Sequence, residues 1–299
     1  MRFGITALEF ETTAKQVIVD GFPDFSRFNI IEAIRRAAAI EYITVVELTL
    51  DIRHIIPGSI PDSVIDNLID LRDEVGIGYT VHLPLWSLEP ASFNEHIRRA
   101  SVECIVDSIM AIERLDPEVY VLHSTGPLGA EFSRLRVKQS VRDLICQLMA
   151  SISIRSVTEI LERTNIRPRK LAIENVEFPF QFTRDVVDEC DTGICFDTGH
   201  LLARYSGKED PIEFYRQHHD RIVEIHLHDG RFRCVNGVSV PEDHKTLGTG
   251  DLRVEEFLCE LVHSGFRGPV IFELTNEETV RSLEVVRERC PRALDKSGS

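Results

Sequence analysis

The stretch GICFDTGH, residues 193–200, joins a buried-type apolar run to a polar turn and leaves Asp197 and His200 at the junction. The same pattern recurs along the chain. TVHLPLW (80–86) carries His82, YVLHSTG (120–126) carries His123, and LAIENV (171–176) carries Glu174. EIHLHDG (224–230) carries His226, VIFELT (270–275) carries Glu273, and PEDHKTLGTG (241–250) adds Glu242 and His244. Each donor-type side chain stands where a strand-like run stops and a loop begins. If the strands are parallel and close into a barrel, all of these ends lie on one rim. The nine candidate donors are His82, His123, Glu174, Asp197, His200, His226, Glu242, His244 and Glu273. Nine nitrogen and oxygen donors in one ring point to a cluster of metal ions rather than a single ion.

Working outward, the apolar runs 3–6, 44–50, 79–83, 119–123, 170–175, 193–197, 222–227 and 269–274 read as strands. Helical patterns occupy 28–41, 61–75, 93–114, 135–163, 183–190, 211–219, 253–264 and 277–290. Strict alternation demands parallel strands with helical crossovers. The runs are too apolar for a sheet with one wet face. Eight such units predict an α/β fold, a single (β/α)8 TIM barrel over residues 1–294, with a disordered tail at 295–299. Between strands seven and eight, residues 230–252 carry no element pattern and predict a long lid loop over the rim.

Composition narrows the function classes. The 299 residues carry a formal net charge of −15, whereas nucleic-acid binding depends on Lys and Arg contacts to phosphate, so a small-molecule substrate is expected over a nucleic acid. Part of that acidity belongs to a carboxylate-rich metal site. The seven cysteines are scattered, without a CxxC pair, and read as reduced cytosolic thiols. With no run near ~20 apolar residues and no basic-then-apolar leader, a cytoplasmic protein without a membrane span is expected. Oligomeric state is left open.

Each donor has a plainer alternative. Glu174, Asp197 and Glu273 are costly to bury unpaired, and each can instead meet a neighbouring base. Yet Lys170 and Arg221 stand at strand starts, on the opposite rim. His226 and His228 share a face, with His226 directed at the centre and His228 behind it or toward substrate. His82 and His123 fit either hydrogen bonds to nearby carbonyls or a pair for one ion. Mixed nitrogen and oxygen donors suit Zn2+, Mn2+ or Fe2+ more than Mg2+. His54, His96, His218, His219 and His263 fall away from the rim and read as solvated.

The series ENV, DTGH, HLHDG, DHKTLGTG and FELT resembles the xylose-isomerase-like, AP-endonuclease-family-2 TIM-barrel superfamily over nearly the whole chain. For its sugar isomerases and epimerases, the resemblance implies one divalent ion on Glu174, Asp197, His226 and Glu273. For its endonuclease-IV-type branch it implies a trinuclear zinc phosphodiesterase. One ion would sit on His82, His123 and a bridging Glu174, a second on the quartet, and a third on His200, Glu242 and His244. Glu242 departs from the Asp of that branch. The loops STGPLGAEF and NVEFPFQF depart from that nuclease too, and Phe178, Phe180 and Phe182 with Trp86 predict an apolar rim over a flat substrate.

Four histidines beyond the quartet's own would be idle in an isomerase, so the full set predicts phosphoester hydrolysis on two to three ions. Glu174, His226 and Glu273 are the catalytic candidates, Trp86, Phe178, Phe180 and His228 the substrate-binding ones, and a metal-bridging hydroxide the nucleophile. Non-nuclease loops, an acidic chain and aromatics at the rim resemble the cobamide-remodelling phosphodiesterases. The alternatives are a mononuclear sugar or sugar-phosphate isomerase or epimerase and, further off, an endonuclease-IV-type DNA repair nuclease.

Overall fold

A computed structural model describes residues 1–7 and 10–295. All eight expected strands form: β1 (Arg2–Thr6), β2 (Ile43–Thr49), β3 (Gly78–His82), β4 (Tyr120–Leu122), β5 (Leu171–Glu174), β6 (Gly193–Asp197), β7 (Ile222–His226) and β8 (Pro269–Phe272). They pair in parallel, each with its neighbours in sequence, and β1 closes the barrel on β8. The crossover helices are α1 (Ile30–Ala38), α2 (Asp62–Val75), α3 (Glu95–Ile112), α4 (Gln139–Thr164), α5 (Phe180–Cys190), α6 (Pro211–His218) and α7 (Val254–Ser264), and α8 (Asn276–Arg289) follows β8. The tail expected at 295–299 lies, apart from Asp295, outside the described residues.

The strands are apolar on both faces because both faces are covered. Every residue of β5, β6 and β8 is buried. Outward residues pack under the helices: Phe196 of β6 stacks on Phe214 of α6 at 4.5 Å and meets Phe257 of α7 at 6.0 Å. Inward residues alternate with them, so side chains two apart on one strand stack in layers along the barrel axis. One layer below the strand-end donors lie Glu47, Thr80, Val121, Ala172, Cys195 and Glu224, all buried. Two carboxylates in that layer mark an interior built for more than packing. Helix α4 reaches a mean hydropathy of 1.4, enough to cross a membrane by length and composition alone. It packs beside α3 and α5 with Cys146, Met149, Ala150, Val157 and Ile160 buried.

The stretch 230–252 was expected to be irregular. Instead most of it is a β-hairpin, Asp229–Val235 paired with Val238–Lys245. Its turn is Asn236-Gly237, with φ of 51° and 78°, the conformation that a two-residue hairpin turn demands. Asn-Gly between short β-branched runs was a readable signal. The base of the lid is tied to the barrel through Asp229. Its carboxylate accepts the backbone N–H groups of Gly230, Gly248, Gly250 and Leu252, each at 2.9 Å. A Cβ at Gly250 would collide with that carboxylate.

Candidate metal centre

Glu174 ends β5 at the centre of the rim, 1% exposed, and its two oxygens face different histidines. Oε2 lies 3.3 Å from His82 Nε2 and 2.9 Å from His123 Nε2. Oε1 lies 3.2 Å from His200 Nδ1 and 3.6 Å from His226 Nδ1. His82 donates its Nδ1–H to the Leu83 carbonyl at 2.9 Å, which turns Nε2 toward Glu174. His226 Nδ1 is also 3.3 Å from Glu273 and 3.9 Å from Asp197. Thus Glu174, Asp197, His226 and Glu273 converge as one candidate ligand group, and His82, His123 and Glu174 as a second.

A third group forms at the lid, and here the expected Glu242 is corrected. Glu242 is ion-paired with Arg231 across the hairpin and stands outside the donor groups. Its neighbour Asp243 takes the place, 3.7 Å from His200 Nε2 and 3.4 Å from His244 Nδ1. Simple strand alternation would have put Glu242 and His244 on one face and Asp243 on the other. The hairpin shifts register here, with Arg231 opposite Glu242 but Asp229 opposite Lys245. The extra residue is accommodated with His244 at a φ of 48°. Such a bulge re-aims side chains, and Asp243 and His244 both reach His200.

His228 is fully buried behind the donors rather than lining open space. Its Nδ1 accepts the backbone N–H of His244 at 2.9 Å, and its Nε2–H donates to Asp197 Oδ2 at 2.8 Å. It therefore ties the lid to a donor. Gly199 makes room for this ring, because a Cβ there would collide with it. Asn175 holds Asp197 from the other side, accepting its N–H at 2.7 Å and donating to its carbonyl at 2.9 Å.

The expected aromatic rim is also corrected. Phe178, Phe180 and Phe182 are 1%, 5% and 6% exposed. Phe180 packs on Phe214 at 4.5 Å and His218 at 5.0 Å, which makes His218 a buried residue as well. Phe180 and Phe182 open α5 and turn inward on its apolar face, and Phe178 turns inward just ahead of it, so none is available to a substrate. Trp86 does stand at the rim, 51% exposed.

The electrostatics ask for positive charge. Among the described residues, no Lys or Arg pairs with Glu174, Asp197, Asp243 or Glu273; the cationic partners in reach are histidines. Burial opposes charging of His82, yet Glu174, Glu47 and Glu273 push it up to about 9. Against the same opposition, Asp197 and Glu174 raise His200 to about 9, and Asp243 and Glu273 raise His244 to about 11. Burial likewise opposes ionisation of Glu174, but His123 and His226 hold its carboxyl well below the ordinary range. Beneath the donors, burial and then the Glu47 carboxylate push Glu224 up to about 8. His226 Nε2 stands 3.5 Å from Glu47 and 3.6 Å from Glu224. Both ring nitrogens of His226 and Nδ1 of His200 are buried without a hydrogen-bond partner. Orphaned buried nitrogens amid carboxylates fit divalent ions.

Sequence reasoning missed Glu47 and Glu224. Their signal was a lone carboxylate inside an apolar strand, TVVELTL and IVEIHL.

A closed parallel barrel whose C-terminal rim gathers histidine and carboxylate donors defines a TIM barrel with a metal-type centre. The chain belongs to the xylose isomerase-like TIM barrel family, whose model matches residues 34–289. The uncharacterized protein MJ1311 of Methanocaldococcus jannaschii is 30% identical over 236 residues, 74% of this chain and 73% of the relative. Among solved structures, a D-tagatose 3-epimerase-like protein matches with a TM-score of 0.69 at 24% identity, over 100% of both chains. Endonuclease IV from Thermus thermophilus matches with a TM-score of 0.67 at 17% identity, over 98% of this chain and 100% of that one. At these identities the likeness carries the fold.

Proposed function

We propose that the protein is a metal-dependent phosphodiesterase of small molecules. The observation that carries this reading is the two-sided Glu174, with His82 and His123 on one oxygen and His200 and His226 on the other. A carboxylate so placed belongs to two candidate ligand groups and could serve both, whereas one ion on the quartet would leave His82 and His123 without a task. Divalent ions, when bound, supply an activated water and neutralise the charge on phosphate oxygens. Two to three ions are expected, Zn2+ by donor type, with Mn2+ or Fe2+ as alternatives.

The chain's own residues supply the rest. His82, His123 and Glu174 form one wall of the site, and Asp197, His226 and Glu273 the other. A cavity of about 490 Å3 opens between His123 and His200, and among the described residues Arg134 is the one Lys or Arg lining it. Arg134 pairs with Glu177 at 3.3 Å, both partners half-exposed, and lies 5.6 Å from the Tyr205 ring. An exposed pair of this kind is weak, so the guanidinium can turn to an anionic substrate group. His228 holds Asp197 in place while fastening the lid.

The mononuclear isomerase or epimerase is the second reading, because the quartet also stands as a complete group by itself. Metal analysis of protein purified without chelator separates the two, since two to three ions per chain support the phosphodiesterase and one supports the isomerase. His123→Ala should abolish turnover of an activated phosphodiester; unchanged turnover would refute the assignment. Within the class, cleavage of the nucleotide loop of a cobamide loses the support of Phe178, Phe180 and Phe182, which are core. Its test is release of the base-ribose fragment from a cobamide.

A further inference from the structure

Next to the donors lies a second cavity, of about 240 Å3, that no donor enters. Helix Phe10–Val17 and Phe25, both in the β1–α1 connection, line one side of it, and residues at and after the ends of β2 and β3 line the other. Val17, Phe25, Ile52, Ile55 and Trp86 supply its apolar surface. Its inner wall is Thr49, in register with the donor His82, and the next residue, Leu50, donates its N–H to the His82 carbonyl at 2.9 Å.

Among the described residues, the one charged group in the wall is already engaged. Asp51, 4% exposed, accepts the backbone N–H groups of Leu85 at 3.2 Å and Trp86 at 3.0 Å. This pins the β3 loop so that Leu85 faces the cavity holding Arg134 while Trp86 faces the apolar one. Phe25, Ile55 and Trp86 stay 45%, 41% and 51% exposed around the mouth. Apolar side chains left open beside a polar centre mark a ligand-binding surface.

We propose that this cavity is the subsite for an apolar ring carried by the substrate, held while the reacting group lies on the donors. An apolar cavity of roughly 150 Å3 takes one benzene ring, so this one suits a ring up to the size of a fused bicycle. The ring's place follows from the cavity and from its Thr49 wall, which stands in register with His82 on the neighbouring strand. Only the identity of the reacting group rests on the phosphodiesterase reading.

Trp86 is the single tryptophan of the chain, so its emission reads the cavity directly. Metal-loaded, full-length protein is titrated with benzylphosphonate, methylphosphonate and benzyl alcohol. Benzylphosphonate should change Trp86 emission saturably and bind at least tenfold more tightly than methylphosphonate. Ile55→Asp, at the exposed mouth, should remove that preference while leaving bound metal unchanged. Equal binding of the two phosphonates, or a preference that survives Ile55→Asp, would overturn the subsite. If benzyl alcohol perturbs Trp86 in an Ile55-dependent way and the phosphonate group adds nothing, the subsite stands and the phosphoester reading fails.

Discussion

Replacing Asp243 with Ala should remove one ion from the centre, and replacing Glu242 with Ala should remove none. Asp243 lies 3.7 Å from His200 Nε2 and 3.4 Å from His244 Nδ1, so an ion held by the two imidazoles would have its carboxylate as a further ligand. Two unit charges about 4 Å apart at an effective dielectric near 20 interact by about 4 kcal/mol. If desolvation offsets half of that, about 2 kcal/mol remains per unit charge, hence about 4 kcal/mol against a divalent ion. That corresponds to roughly a thousandfold in dissociation constant. Glu242 is held by Arg231 on the outer side of the hairpin, so its loss should leave the ion count unchanged. The assay is metal stoichiometry after dialysis against trace metal, with calorimetric titration of the weakest site. The reverse outcome, Asp243→Ala keeping every ion while Glu242→Ala loses one, would refute the bulge argument and restore plain alternation across residues 242–244.

Phe180→Ala should cost about 3–5 kcal/mol of stability, as a buried aromatic truncation does, and leave KM unaltered; a raised KM with unchanged melting would return Phe180 to the substrate site. His228→Ala should weaken metal binding about 10–100-fold, the usual effect of losing a partner that orients a ligand. His228→Gln, whose amide N–H can still reach Asp197, should recover part of it, and no loss in either variant would remove His228 from the centre. For pH dependence, burial, then Arg184, lowers the His218 imidazole below its ordinary value. The unfolded chain therefore binds that proton first, and the His218 contribution is complete above about pH 6.5 and declines as pH falls below it. His218→Leu should flatten the acid side of a denaturation-midpoint profile of metal-loaded protein, and an unchanged slope would refute the assignment.

The strands were legible because residues buried on both faces must be apolar along their whole length. GICFD and PVIFE read as buried strands on that ground, and parallel closure then carries Glu174, Asp197, His226 and Glu273 to one rim. The lid was half-legible: the Asn236-Gly237 turn and the valines beside it signal a hairpin, but the polar EDHK end of its second strand has no apolar alternation to show which side chains face the rim. Phe178 and Phe180 misled because a loop and the first turn of a helix look alike in sequence. Which side of α5 faced Phe214 was decided by packing.

What the chain itself determined is local and periodic: eight apolar strands, their crossover helices, and donors at the strand ends. Barrel geometry then follows from general rules of parallel connection. The tertiary structure alone decided which of Glu242 and Asp243 faces His200, that Glu174 addresses four histidines from two oxygens, and that Asp51 pins Trp86 beside His82. These depend on a register shift, a left-handed His244 and contacts between residues far apart in sequence, none of which leaves a periodic trace in the chain.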